Sequence, residues 1–75
     1  MITQTIDARG LTCPIPVMKA RKGIMSSSVG EKLEVFSSDP GSLRDMDALC
    51  RSTGSKLLST EDQDDGSYRF LIEVS

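Results

Sequence analysis

The chain has 75 residues, a net charge of −2, one tyrosine, two phenylalanines, two cysteines and no histidine. A domain of this size buries only about 60–65% of its unfolded surface, so residues 1–75 read as one domain with one modest core, and a working site should lie on the surface and be completed by a partner. The charge and the few aromatics argue against tight, direct nucleic-acid binding; the missing histidine removes Cys–His nucleophile pairs and the usual near-neutral acid/base group, and leaves too few ligands for a zinc site built from Cys and His.

Met1-Ile2-Thr3-Gln4 opens no basic segment followed by an apolar stretch, so no signal peptide is expected. No apolar run approaches the ~20 residues that cross a bilayer. The expected location is the cytoplasm, where thiols stay mostly reduced, and no membrane partner is expected. Two cysteines are too few for a disulfide scaffold.

In chain order, residues 3–8 read as a first strand, rich in β-branched residues and stopped by Gly10. Pro14 suits a first helical position. Val17, Ala20 and Ile24 then share one face of a helix, with Lys19 and Lys22 on the other. Gly23 weakens this helix by up to ~1 kcal/mol, so packing has to hold it. Ser26 to Gly30 reads as its exit, and residues 32–37 as the second strand. Asp39 is a good N-cap, with Pro40 at the first helical position. Leu43, Met46, Leu49 and Cys50 recur at helical spacing, and Gly54 is a natural stop. Residues 56–60 form a third strand. Asp65-Gly66 signals a hairpin turn into a fourth strand in which Tyr68, Phe70, Ile72 and Val74 alternate with Arg69, Leu71 and Glu73. The fold class is therefore α/β (α+β): a βαβαββ two-layer sandwich, with a four-stranded mixed sheet and two helices on one face. Right-handed parallel crossovers put both helix N-termini on the same edge.

The chemistry concentrates at Cys13-Pro14-Ile15-Pro16. Cys13 is expected to be the N-cap of the first helix, its sulfur facing the positive end of the dipole, which favours thiolate and predicts a pKa below the free value of ~8.5. Pro16 lacks an N–H, which leaves Ile15 as the usual donor to the sulfur. Pro14 and Pro16 fix two φ angles and stiffen the turn, and Gly10 relieves the loop before it. A free cysteine is more often a small buried hydrophobe, and Cys50, on the apolar stripe, is read that way. Cys50 also lies about ten residues into the second helix, ~15 Å along it at ~1.5 Å per residue, too far for a disulfide with Cys13. Arg9 and Arg44 are the candidate cations for an anionic sulfur or a partner, although each also fits a solvated surface charge.

The run Asp7-Ala8-Arg9-Gly10-Leu11-Thr12-Cys13-Pro14-Ile15-Pro16 resembles the signature of the TusA/SirA-like sulfur-carrier family. The resemblance continues at Val17-Met18, Arg21-Lys22, Ser38-Asp39-Pro40, Arg44-Asp45-Met46, Cys50 and Tyr68-Arg69-Phe70-Leu71-Ile72, over nearly the whole chain. It implies a sulfurtransferase-type carrier that acts stoichiometrically. Cys13 would receive sulfane sulfur as a persulfide from a cysteine desulfurase or a rhodanese-like protein. It would then pass that sulfur to a downstream acceptor, in transfer-RNA thiolation, molybdenum-cofactor enzyme maturation or sulfur oxidation. The expected carrier is a monomer with no cofactor other than the covalent sulfur. Because the domain has no internal channel, donor and acceptor are expected to use the same edge. The alternatives are a non-covalent regulatory or interaction module, and a redox sensor forming sulfenate at Cys13.

Overall fold

The computed structural model describes residues 2–75. The elements follow the order β1 (Gln4–Ala8), α1 (Ile15–Met25), β2 (Lys32–Ser37), α2 (Ser42–Thr53), β3 (Lys56–Asp62) and β4 (Tyr68–Glu73). They form a four-stranded mixed sheet in the order β1-β2-β4-β3. β1 runs parallel to β2, while β4 runs antiparallel to both β2 and β3. Both strand–helix–strand units therefore join parallel strands, as the crossover rule requires. Among the described residues no helix is long and apolar enough to cross a membrane.

Strand alternation decides which side is covered. Leu33 and Val35 of β2 stand opposite Ile72 and Phe70 of β4, and all four are fully buried. Ala20 and Ile24 of α1 and Met46, Leu49 and Cys50 of α2 close over them in one cluster, with Ile6, Val17, Leu57 and Tyr68 at its margin. The opposite side of the sheet is mostly polar, with Phe36 and Leu71 between charged side chains. There Arg69 pairs with Glu34 and with Glu61, and Thr5 donates to Glu34.

Gly23 is buried within α1 because β1 passes close beneath it. A Cβ at this position would lie 2.7 Å from Cδ1 of Ile6, so the low helix propensity of glycine is exchanged for close contact with the sheet. Gly54 ends α2 in the left-handed region, with φ +75°, as a helix-stopping glycine does. β3 is two residues longer than expected, and its ladder with β4 breaks register between Leu57 and Ser59, which leaves Leu58 exposed. The hairpin turns through Gly66, and the Asp65 carboxylate accepts from the Ser67 amide.

Both helix starts differ from expectation. α1 begins at Ile15 with Pro14, not Cys13, as its N-cap, and no side chain caps it. The Ile15 amide is taken by the Thr12 carbonyl at 3.0 Å, so it is not available to the sulfur. α2 begins at Ser42 with Gly41, not Asp39, at the N-cap. The segment from Asp39 to Ser42 is instead a turn, in which the Ser42 amide donates to the Asp39 carbonyl at 2.9 Å. Leu43 is 42% exposed rather than part of the core. The inward position of that first turn belongs to Ser42, whose hydroxyl meets that of Ser37 at 2.6 Å.

Candidate functional site

The ends of β1 and β2 lie side by side, Ala8 opposite Ser37, and the two loops that leave them are stitched together. Gly10, with φ +81°, turns the first loop, and its amide donates to the Ser38 hydroxyl at 2.9 Å. The Asp39 carboxylate then bridges the loops. One oxygen accepts the Cys13 amide at 2.6 Å and the other accepts the Gly41 amide at 2.9 Å. These two bonds hold the Asp39 carboxyl below its ordinary pKa, the Cys13 amide most. The predicted meeting of the two helix starts is thus present, with Asp39 as the link.

Cys13 is exposed. Its neighbours along the chain build the helix start, although not in the positions expected of them. Pro14 offers its carbonyl to the Met18 amide at 3.0 Å, closing the first helical turn; Ile15 stands 42% exposed beside the sulfur-bearing residue and Pro16 is buried. The Cys13–Pro14 peptide is cis. The sulfur itself donates to Oδ2 of Asp45 at 2.6 Å. Asp45 sits in the first turn of α2, its amide bound to the Gly41 carbonyl at 3.1 Å. The thiol pKa is consequently raised, not lowered. The hydrogen bond to Asp45 contributes most, then partial desolvation, then the charges of Asp45 and Asp39. A bond donated by the neutral thiol stabilises the protonated form. With Pro14 as the N-cap, the helix dipole does not have the sulfur in its capping position.

A family model described as Sulfurtransferase TusA matches residues 4–74. The chain belongs to the TusA family. It is 40% identical over 72 residues to the sulfur carrier protein TusA of Allochromatium vinosum, covering 96% of this chain and 93% of that protein. It is 38% identical over 69 residues to a putative sulfur carrier protein of Archaeoglobus fulgidus, covering 92% and 90%. In solved structures it resembles the SirA-like protein of Desulfitobacterium hafniense, with a TM-score of 0.84, 26% identity, and coverage of 95% of this chain and 96% of that one.

Within this TusA-family chain the remaining candidates separate. Arg9 is not free to hold an anionic sulfur. Its guanidinium pairs with Asp7 at 2.9 Å and Asp65 at 3.3 Å and lies over the Phe36 ring, 5.3 Å from its centre. Arg9 in turn pulls the Asp7 carboxyl down to about 2. Arg9 is therefore not the anion site expected of it: Asp7, two residues before it, and Asp65, in the β3–β4 turn, occupy its guanidinium. Arg44 is exposed, and no ion pair engages it among the described residues, so it remains available to a partner. Cys50 is 3% exposed, and its burial, with Asp47 nearby, pushes its thiol up to about 11. No cluster of three or more His, Cys, Asp or Glu side chains that could hold a metal forms among the described residues.

A groove runs from the Cys13 edge between the helices, lined by Pro14, Val17, Met18, Asp45 and Leu49 among others. Asp39 and Asp45 are the residues the sequence reading missed as parts of the site. Asp39 was read as a cap, and Asp45 only as part of the family pattern. One signal points to both: they lie in the turn before the second helix and in its first turn, which the topology puts beside Cys13.

Proposed function

We propose that this chain carries sulfur as a persulfide on Cys13 and relays it between partner proteins. The observation that carries this reading is the contrast in access. Cys13 stands exposed at a proline-stiffened helix start, while Cys50 is sealed in the core. Family membership supplies the sulfur-carrier role, and the fold offers one surface where a partner's sulfur can reach a thiol. The donor is of the cysteine-desulfurase or rhodanese-like class, and the acceptor presents a thiol or an equivalent nucleophile. Both dock on the edge formed by residues 8–16 and the start of α2, where Arg44 is exposed, so they compete. A sulfenate-forming sensor is less suited to this site, because such sensors depend on a low-pKa thiol and Cys13 is shifted the other way.

Intact-mass measurement after incubation with a cysteine desulfurase and cysteine tests the reading. One added sulfur is expected. Cys13→Ser should abolish it and Cys50→Ala should keep it. Equal loading on both cysteines, or none on the unaltered protein, would sink the single-site model.

A further inference from the structure

The two carboxylates beside Cys13 are used differently. Asp39 has both oxygens committed to backbone amides, those of Cys13 and Gly41. It fixes the loops and has been made a weaker base by doing so. Asp45 accepts the Cys13 thiol at 2.6 Å, and no backbone amide occupies its carboxylate among the described residues. It is half-buried, on the rigid first turn of a helix. Of the other charges on this edge, Arg9 is held by Asp7 and Asp65, Arg44 is exposed, and Arg21 lines the groove alongside Asp45. With no histidine in the chain, Asp45 is the carboxylate in hydrogen-bond reach of the reacting sulfur, which is the geometric requirement for a general base.

We propose that Asp45 is a catalytic residue of this carrier, taking the Cys13 proton as the sulfur is loaded. The proposal rests on the persulfide reading above. In the loading step the Cys13 sulfur attacks the terminal sulfur of a donor persulfide, R–S–SH. A bond forms between Cys13 Sγ and that terminal sulfur, and the donor's S–S bond breaks, with its electron pair leaving on R–S⁻. The Cys13 proton passes to Asp45 and from there to the departing thiolate. Cys13–SH and R–SSH become Cys13–SSH and R–SH, with no net oxidation or reduction. The persulfide stays protonated facing the carboxylates of Asp45 and Asp39, whose like charge disfavours its ionised form and so keeps the outer sulfur open to a nucleophile. An acceptor thiolate can attack the terminal sulfur: a bond forms between the two, the Cys13 Sγ–S bond breaks with its electron pair on Cys13, and the Cys13 thiolate takes a proton from water and regains its bond to Asp45. The resting carrier thus holds a protonated thiol, consistent with the direction of its pKa shift, and is activated only where a donor is present.

The test uses glutathione persulfide as donor and follows loading of Cys13 by rapid-quench mass measurement across pH 5.5–9. Unaltered protein is compared with Asp45→Asn and Asp45→Glu, so that the donor's own ionisation cancels in the ratio. Thiolate absorbance gives the equilibrium titration of Cys13 in each. Asp45→Asn should have more thiolate at neutral pH, because the bond that favours the thiol is weakened. It should nonetheless load ~10²-fold more slowly at pH 6. That deficit should close by about tenfold per pH unit as the thiol ionises unaided. Asp45→Glu should restore the flatter profile of the unaltered protein. If Asp45→Asn loads as fast as unaltered protein with the same pH dependence, the role of Asp45 is wrong while the persulfide reading stands. If unaltered protein takes up no sulfur at all, both fall.

Discussion

Cys13 and Cys50 both hold their protons more tightly than a free thiol, and for opposite reasons. The shift at Cys50 comes first from burial, a property of the whole core that only unfolding removes. At Cys13 it comes first from one hydrogen bond to Asp45 on an exposed edge, which an arriving partner can replace. The elements beside them differ in the same sense. α2 carries an i,i+4 ion pair between Asp47 and Arg51, an acidic residue in its first turn and a glycine stop. Neither helix has a side-chain cap, but α1 has no acidic residue in its first turn and contains the buried Gly23. The buried thiol sits in the helix with its own local support, and the exposed one precedes the helix that neighbouring elements hold in place. A proton held by a single adjustable contact is one that a reaction can use.

The widest expected gap is in native-state reactivity. With iodoacetamide at constant pH, Cys13 should be modified directly, while Cys50 should wait for opening of the fold, whose population is about 10⁻³–10⁻⁶. Peptide mass mapping should therefore find a ratio of ~10³ or more. Comparable rates in the folded protein would erase the distinction.

Alkaline stability sharpens the same contrast. The folded-state pKa of Cys50 is raised from 9.0 to about 11, so the unfolded chain loses this proton first. The associated stability is fully present below pH 9, and declines as pH rises through about 11. Denaturant unfolding of unaltered protein and Cys50→Ala at pH 8, 9 and 10 should show a smaller decline over this range in the variant. The same slope in both would show that burial is not what holds the proton.

The smallest effect concerns the dependence of α1 on its neighbours. Gly23→Ala should shift stability by less than ~1 kcal/mol, because gained helix propensity is offset by displacing the end of the Ile6 side chain. In an Ile6→Val background, which lacks that Cδ1, the same change should stabilise by roughly 0.5–1 kcal/mol. Additive effects in the double-mutant cycle would mean that Gly23 and Ile6 are not coupled.

The fold was legible because period and punctuation agreed. Alternation in Tyr68 to Val74, helical spacing in Met46, Leu49 and Cys50, and turn glycines at 54 and 66 all pointed to one topology. That topology put the two helix starts together, and the signature around Cys13 pointed to the thiol that the structure leaves exposed. Its electrostatics were not legible. An N-cap was inferred from Pro14, but a proline at a helix start does not say whether the previous residue or the proline itself caps it. Nor does chain order reveal that Asp45, thirty-two residues away, meets the sulfur, or that Asp65 turns Arg9 aside. Those are tertiary juxtapositions of polar side chains, and periodicity records only the apolar ones.

The register break in β3 bears on how such a carrier survives its own open sheet. An edge strand is a template for pairing with another copy, and natural sheets guard it with bulges and charge. The break between Leu57 and Ser59 disrupts the regular ladder that an incoming strand would extend, and Lys56, Glu61 and Asp62 add exposed charges along the strand. Self-association along this strand is thereby discouraged, while the edge that bears Cys13 stays open to a partner.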